Sequence, residues 1–292
     1  MFNQVVSILF PILGLAFAGL CVGHWIKPDF RPINRVNMDV FVPALTFSSL
    51  VVMPLDISQI PLLSASVFAV IIPGALMLPV CYFLKIRYKV WAPPLMFRNS
   101  GNLAIPLFTY AFGQTAVAPA VMLFVVSSCL HFSLGLAIVS KGISLLQLTR
   151  MPIFVSAVFA LVLNLIGVGI WEPLLNATTL LGQAAIPIML VSLGAQMCNM
   201  RLSGLKTGLM CTGLSLVTGG ISFGLIYLFI PLSTLHLKMM LLFTLFPPAV
   251  LNYLLAERFD LEPERVASMV LFSNFFCVVT LPIMLSIALS LE

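Results

Sequence analysis

Apolar residues run through this chain in long blocks, separated by short polar breaks. A helix that crosses a bilayer needs about 20 mostly apolar residues, fewer when it is broken or tilted. On that length the pattern predicts ten spans, at 3–25, 38–54, 61–84, 91–112, 116–140, 152–170, 177–198, 205–230, 236–256 and 265–290. No long polar loop separates them, which predicts a single transmembrane domain over 1–292.

Composition agrees. The 292 residues are 61% apolar and 8% charged, whereas a soluble domain carries about 25% charged residues. The fold class is therefore an all-α, polytopic membrane protein. A net charge of +5 in a soluble chain would raise the question of nucleic acid. Here the charges lie in short loops, so they report topology and imply no nucleic-acid partner.

Twelve of the 14 Lys and Arg fall in loops that follow odd-numbered spans: Lys27, Arg31, Arg35, Lys85, Arg87, Lys89, Lys141, Arg150, Arg201, Lys206, Arg258 and Arg265. The opposite side holds only Lys238, and Arg98 lies inside a span. The positive-inside rule puts the odd loops in the cytoplasm and both termini outside. Adding or dropping a span would scramble this bias. The N-terminal MFNQVVSILF lacks a basic stretch and reads as a retained first span.

The chain also repeats itself. Pro43 in VPALTFSSL matches Pro187 in IPIMLVSLG at an offset of 144, each followed five residues later by serine, Ser48 and Ser192. APAVMLFVVSSC (118–129) matches VASMVLFSNFFC (266–277) at an offset of 148. Two halves, 1–146 and 147–292, each hold five predicted spans. Five is odd, so the second half enters from the opposite side. Inverted repeats of this kind occur in many secondary transporters.

The polar run FRNSGNLAIPLF (97–108) now has a place. At offset 148, Asn99 and Ser100 correspond to Pro247 and Pro248 in TLFPPAVLNYLLA of the ninth span. Each half therefore carries a helix interruption. Gly101 weakens the helix through backbone freedom; Pro106, Pro247 and Pro248 remove donors and clash with preceding carbonyls. Freed backbone groups are tolerated only where protein or a wet cavity satisfies them. The two breaks should cross near the bilayer centre and present half-helix N-termini to it. With the side chains of Asn99, Ser100, Asn102 and Asn252, this makes a candidate site for an anionic or strongly polar small molecule.

Several residues carry two readings. Arg98 either contacts substrate or snorkels to the cytoplasmic interface from nine residues past Lys89. Ser48, Ser49, Ser192 and Gln196 either line the cavity or glue helices together. Asn274, the amide of the last span, is open in the same way. Asp39, at the start of the second span, suits the positive end of a helix dipole better than proton coupling. His24 and His236 lie near span ends, and His131 is a proton group within the fifth span. The six cysteines sit in apolar runs without metal-ligand spacing and read as small buried hydrophobes. No cofactor motif, phosphate loop or nucleophile–base set is present, so no cofactor and no enzymatic activity are expected.

These residues resemble the auxin efflux carrier family, which includes plant PIN proteins and many bacterial transporters. The family's fourth-span signature is similar to N-[TS]-x-x-x-G-x-P. Asn99, Ser100, Ile105 and Pro106 stand at its positions, with Ala104 replacing the glycine. FPPAVLNYLLAERFDLEP, VTLPIML and VPAL resemble other family segments. The resemblance implies ten spans and a crossover fold like that of sodium–proton antiporters and bile-acid symporters. It implies a bacterial inner-membrane carrier that moves small organic anions, such as malonate-like or auxin-like carboxylates, by an elevator motion. It also implies a homodimer, and a site at Asn99, Pro106 and Pro247. Two other functions remain to be weighed. Cation–proton antiport wants carboxylates near the midplane, and no Asp or Glu lies at the core of any predicted span. A non-transporting ligand sensor would keep the same breaks but has no long loop here to signal through.

Overall fold

The computed structural model describes residues 2–54, 59–140, 149–199 and 204–291. Asp56, Lys141, Arg201 and the repeat boundary near residue 146 lie outside the described residues. Among the described residues there is no strand, only helices. They are α1 (Phe2–Trp25), α2 (Arg31–Val36), α3 (Val42–Leu50), α4 (Ile60–Leu84), α5 (Tyr88–Met96), α6 (Ile105–Phe112) and α7 (Val117–Leu130). There follow α8 (Leu136–Val139), α9 (Pro152–Leu165), α10 (Glu172–Gln196), α11 (Leu205–Phe229), α12 (Thr234–Leu245), α13 (Leu251–Arg258) and α14 (Pro263–Ser290). One-turn π-helical segments at Asn37–Phe41, Ser100–Ala104 and His131–Gly135 join α2 to α3, open α6, and join α7 to α8.

Among the described residues, six helical stretches are long and apolar enough to cross a membrane: Asn3–Trp25, Ile60–Leu84, Gln114–Val139, Glu172–Gln196, Leu205–Phe229 and Pro263–Ser290. The chain is thus a multi-pass membrane protein. Its outer faces carry large apolar side chains, with Phe10 75%, Tyr82 80% and Phe229 77% exposed. Patches of that size are not left to water in a monomeric soluble protein.

Proline sets several starts, standing in the first turn of α2, α4, α9, α10 and α14, where its missing N–H leaves no bond unmade. Ends are set by left-handed residues: Lys85 at φ 52° closes α4, and Gly167 at φ 68° follows α9. Gly167 is why the sixth predicted span stops at Leu165 instead of reaching 170. The second helix instead starts early, at Arg31, so Asp39 is not in a first helical turn. It lies exposed in the π segment and pairs with Arg35, 3.5 Å away.

The packing has a two-fold pattern. α1 lies along α10, and α3 along α9; α4 packs on α7, and α11 on α14; α5 contacts α11, and α12 contacts α4. α3 with α10 and α4 with α11 close the centre. Glycines allow the closest approach: a Cβ at Gly19 would run into the Val191 carbonyl, and one at Gly194 into that of Ala16. Small residues at helix contacts serve this purpose in membranes. Val90–Met96 of α5 and Met239–Thr244 of α12 are buried on every side, which places the interrupted helices in the middle of the molecule.

Candidate functional site

Two chain segments leave helical geometry at the centre. After α5, Phe97 is extended (φ −102°, ψ 96°) and Asn99 sits at φ −74°, ψ 65°. After α12, Phe246 is extended (φ −60°, ψ 154°), followed by Pro247 and Pro248. The two segments pair as a short antiparallel bridge centred on Arg98 and Pro248. Asn99 N–H donates to the Pro247 carbonyl at 2.8 Å, and Ala249 N–H to the Phe97 carbonyl at 2.9 Å. Backbone groups freed by each break are thereby satisfied by the other, as an apolar interior requires.

Side chains complete the knot. Asn252 Nδ2 donates to the carbonyls of Phe97 and Ala249, both at 2.9 Å. Asn99 Nδ2 donates to Asn274 Oδ1 at 2.9 Å. Asn274 Nδ2 then reaches the carbonyls of Pro248 at 3.0 Å and Val270 at 2.8 Å. Asn274 thus makes hydrogen bonds between helices.

Arg98 does not snorkel. It is 1% exposed, and its guanidinium turns into α11 and the end of α12. It donates to Ser215 Oγ, to the Phe246 carbonyl at 3.1 Å, to the Ser215 carbonyl at 3.3 Å and to Thr218 Oγ1 at 3.4 Å. Nε is left without a partner. No described Asp or Glu is buried, so only neutral oxygens face this charge. Removing a charge from water costs several kcal/mol. Charge-assisted hydrogen bonds of about 1.5–3 kcal/mol each and the partial negative end of α12 offset it.

Ser215 and Thr218 are absent from the sequence-derived candidates. Their signal was a polar stripe, Ser215, Thr218 and Ser222, at helical spacing in an apolar helix, and all three are buried. His131 was seen only as a titratable group. Its ring stacks on Phe97, with centroids 4.0 Å apart and planes at 7°, and its Nε2 has no hydrogen-bond partner.

Facing the first break is a less saturated region. The Ser100–Ala104 segment packs on α7 and α10. The first-turn N–H groups of a helix beginning there, those of Gly101, Asn102 and Leu103, have no partner within it. Asn102 is half-buried, and no side-chain hydrogen bond is found for it among the described residues. On α10, which packs on this segment, Ser192 is 1% exposed with an unpartnered hydroxyl. Ser48, on the neighbouring α3, bonds only its own helix at Leu45 O, 3.3 Å. Pro106 is buried in the first turn of α6. Two pockets flank the knot. Each has a volume of only about 10 Å³, room for about one water molecule. One is lined by Lys89, Pro93, Pro94 and Asn252 among others, the other by Ser215, Pro247, Ser273 and Thr280 among others.

Among the described residues no group of three or more His, Cys, Asp or Glu is placed to hold a metal ion. Cys81, Cys211 and Cys277 are buried, Cys21 and Cys129 partly so, and Cys198 is exposed; all six are free thiols.

Comparison with curated proteins gives no match. A family model described as "Membrane transport protein" matches residues 136–285, just over half of the chain. The matched region runs from α8 into α14 and includes the second break, whereas Arg98 to Pro106 precede it. The chain belongs to this membrane transport protein family, the family of the auxin efflux carriers.

Proposed function

We propose that this protein is a secondary carrier of small organic anions, with substrate bound where the two broken helices cross. The observation that carries the reading is the bridge between Arg98 and Pro248, which joins two interrupted helices inside an apolar bundle. Such discontinuous helices build the midplane sites of secondary transporters. The unsaturated N–H groups after Ser100 and the positive end of the α6 half-helix suit a carboxylate. The buried cation of Arg98 adds to that field. Cation–proton antiport is disfavoured because no described carboxylate is buried.

Topology follows in the same proposal. There are ten spans, arranged as inverted repeats over 1–146 and 147–292, in a bacterial inner membrane, with both termini outside. The two-fold packing supports this, as does the bond from Asn99 to Pro247, residues that the offset of 148 pairs. One body, α4 to α8 with α11 to α14, carries the crossing. The other, α1 to α3 with α9 and α10, is the scaffold, and the first slides along it.

The test is a thermal-stability screen of purified protein against mono- and dicarboxylates and their neutral isosteres, followed by proteoliposome uptake. A ligand of the folded state raises the melting temperature by mass action. A carboxylate is expected to shift wild type but not Asn99→Ala. Asn274→Ala breaks the same internal bond, so a response retained there and lost in Asn99→Ala marks substrate contact, not packing. Binding without uptake would turn the reading to a sensor, and neither binding nor uptake of any carboxylate would sink it.

A further inference from the structure

Four oxygens converge on the Arg98 guanidinium: Ser215 Oγ, the Ser215 carbonyl, Thr218 Oγ1 and the Phe246 carbonyl. They come from the middle of α11 and from the C-terminal end of the α12 half-helix. All four are uncharged, and no other positive side chain takes part. One of them, the Phe246 carbonyl, lies at the unwound end of a half-helix, and neutral carbonyl and hydroxyl oxygens are the ligand chemistry of small hard cations. Here the cation is covalently attached to the opposite break. Arg98 and Phe246 are paired by the offset of 148, so one repeat supplies the charge and the other its oxygens.

We propose that Arg98 is a tethered cation occupying an alkali-ion cage at the second break, so that the protein works without a bound sodium or potassium ion. The guanidinium suits the task because it stays charged at any working pH and spreads its donors over several oxygens. A mobile ion would have to be acquired and released in each cycle. Arg98 is held in register by its own backbone bridge to Pro248, so the charge travels with the crossing. Its removal should leave a cage that a free cation can enter.

The experiment uses the full chain in detergent, with melting temperature measured in sodium, potassium or choline chloride at equal ionic strength. Wild type is expected to melt at the same temperature in all three. Arg98→Ala is expected to melt lower in choline, and to recover by several degrees with low-millimolar guanidinium or with sodium. A sodium- or potassium-specific shift in wild type would overturn the proposal, because a mobile-ion site would then exist. So would a folded Arg98→Ala that ignores guanidinium and both alkali ions. Where Arg98→Ala does not fold, Arg98→Lys and Arg98→Met carry the test. A lysine variant clearly more stable than the methionine variant supports a cation site, and equal loss in both overturns it. No organic anion is present in these measurements, so their failure and that of the substrate proposal are separable.

Discussion

The two breaks do the same job with different chemistry. The second is made by Pro247 and Pro248, which have no N–H to give. The first has no proline between Phe97 and Asn99, and carries the polar run instead. The difference is one of supply and demand for donors. Two prolines leave the second break with carbonyls and too few N–H groups. The first break provides what is missing: Asn99 N–H for Pro247, and the Arg98 guanidinium for Phe246. Asn274 provides for Pro248. In return the first break's own carbonyl, at Phe97, needs only neutral donors, from Ala249 and Asn252. The polar residues of one break are thus the complement of the prolines in the other, and the crossing ends up with a full charge on one side only.

If that account holds, Arg98→Met does the most damage. It strands oxygens that lose a charge-assisted donor, each such bond being worth about 1.5–3 kcal/mol. The expected loss exceeds about 3 kcal/mol of stability, visible as the largest fall in melting temperature among these variants. A fall no larger than that of Asn252→Ala would erase the asymmetry. Next comes Asn274→Ala, which leaves the Pro248 carbonyl without its side-chain donor and should cost about 1–3 kcal/mol. In a double-mutant cycle with Asn99→Ala the effects should fall short of additive, since the two residues share a bond; additive losses would mean that the bond contributes nothing. Asn252→Ala should cost about 1 kcal/mol, because Phe97 keeps the Ala249 N–H.

Much of this was legible in the sequence. Apolar blocks gave the long helices, since burial in lipid or protein demands little more than length and composition. The second break was marked locally by its prolines. The first was marked by polarity, and the offset of 148 tied the two together. What the sequence hid was the destination of each side chain. Arg98 looked free to reach substrate or the interface because its acceptors, Ser215 and Thr218, lie more than a hundred residues away and show only as a spaced pair of hydroxyls. Asn99 and Asn252 looked like ligand donors and Asn274 like either a donor or helix glue, yet each bonds the knot itself. Asn102, named together with Asn99 and Asn252, and Ser192, which read equally as helix glue, are the ones whose polar groups are left without a side-chain hydrogen bond among the described residues.

The smallest effect sharpens the comparison most finely, because it asks whether the first break depends on glycine as the second depends on proline. Sequence reasoning made Gly101 a source of backbone freedom. In the structure Gly101 is not among the glycines with positive φ, and it lies within the π-helical turn. Its lack of a side chain serves packing: a Cβ there would stand 3.0 Å from the Phe124 ring. Gly101→Ala therefore meets two opposed terms. Alanine gains up to about 1 kcal/mol of helix propensity, and the Phe124 ring must give by a few tenths of an ångström. A net change below about 1 kcal/mol, of either sign, is expected, with transport retained. A loss approaching that of Asn274→Ala would mean that the turn needs glycine's conformations, and that the first break is encoded in its backbone and not in the donors it lends to the second.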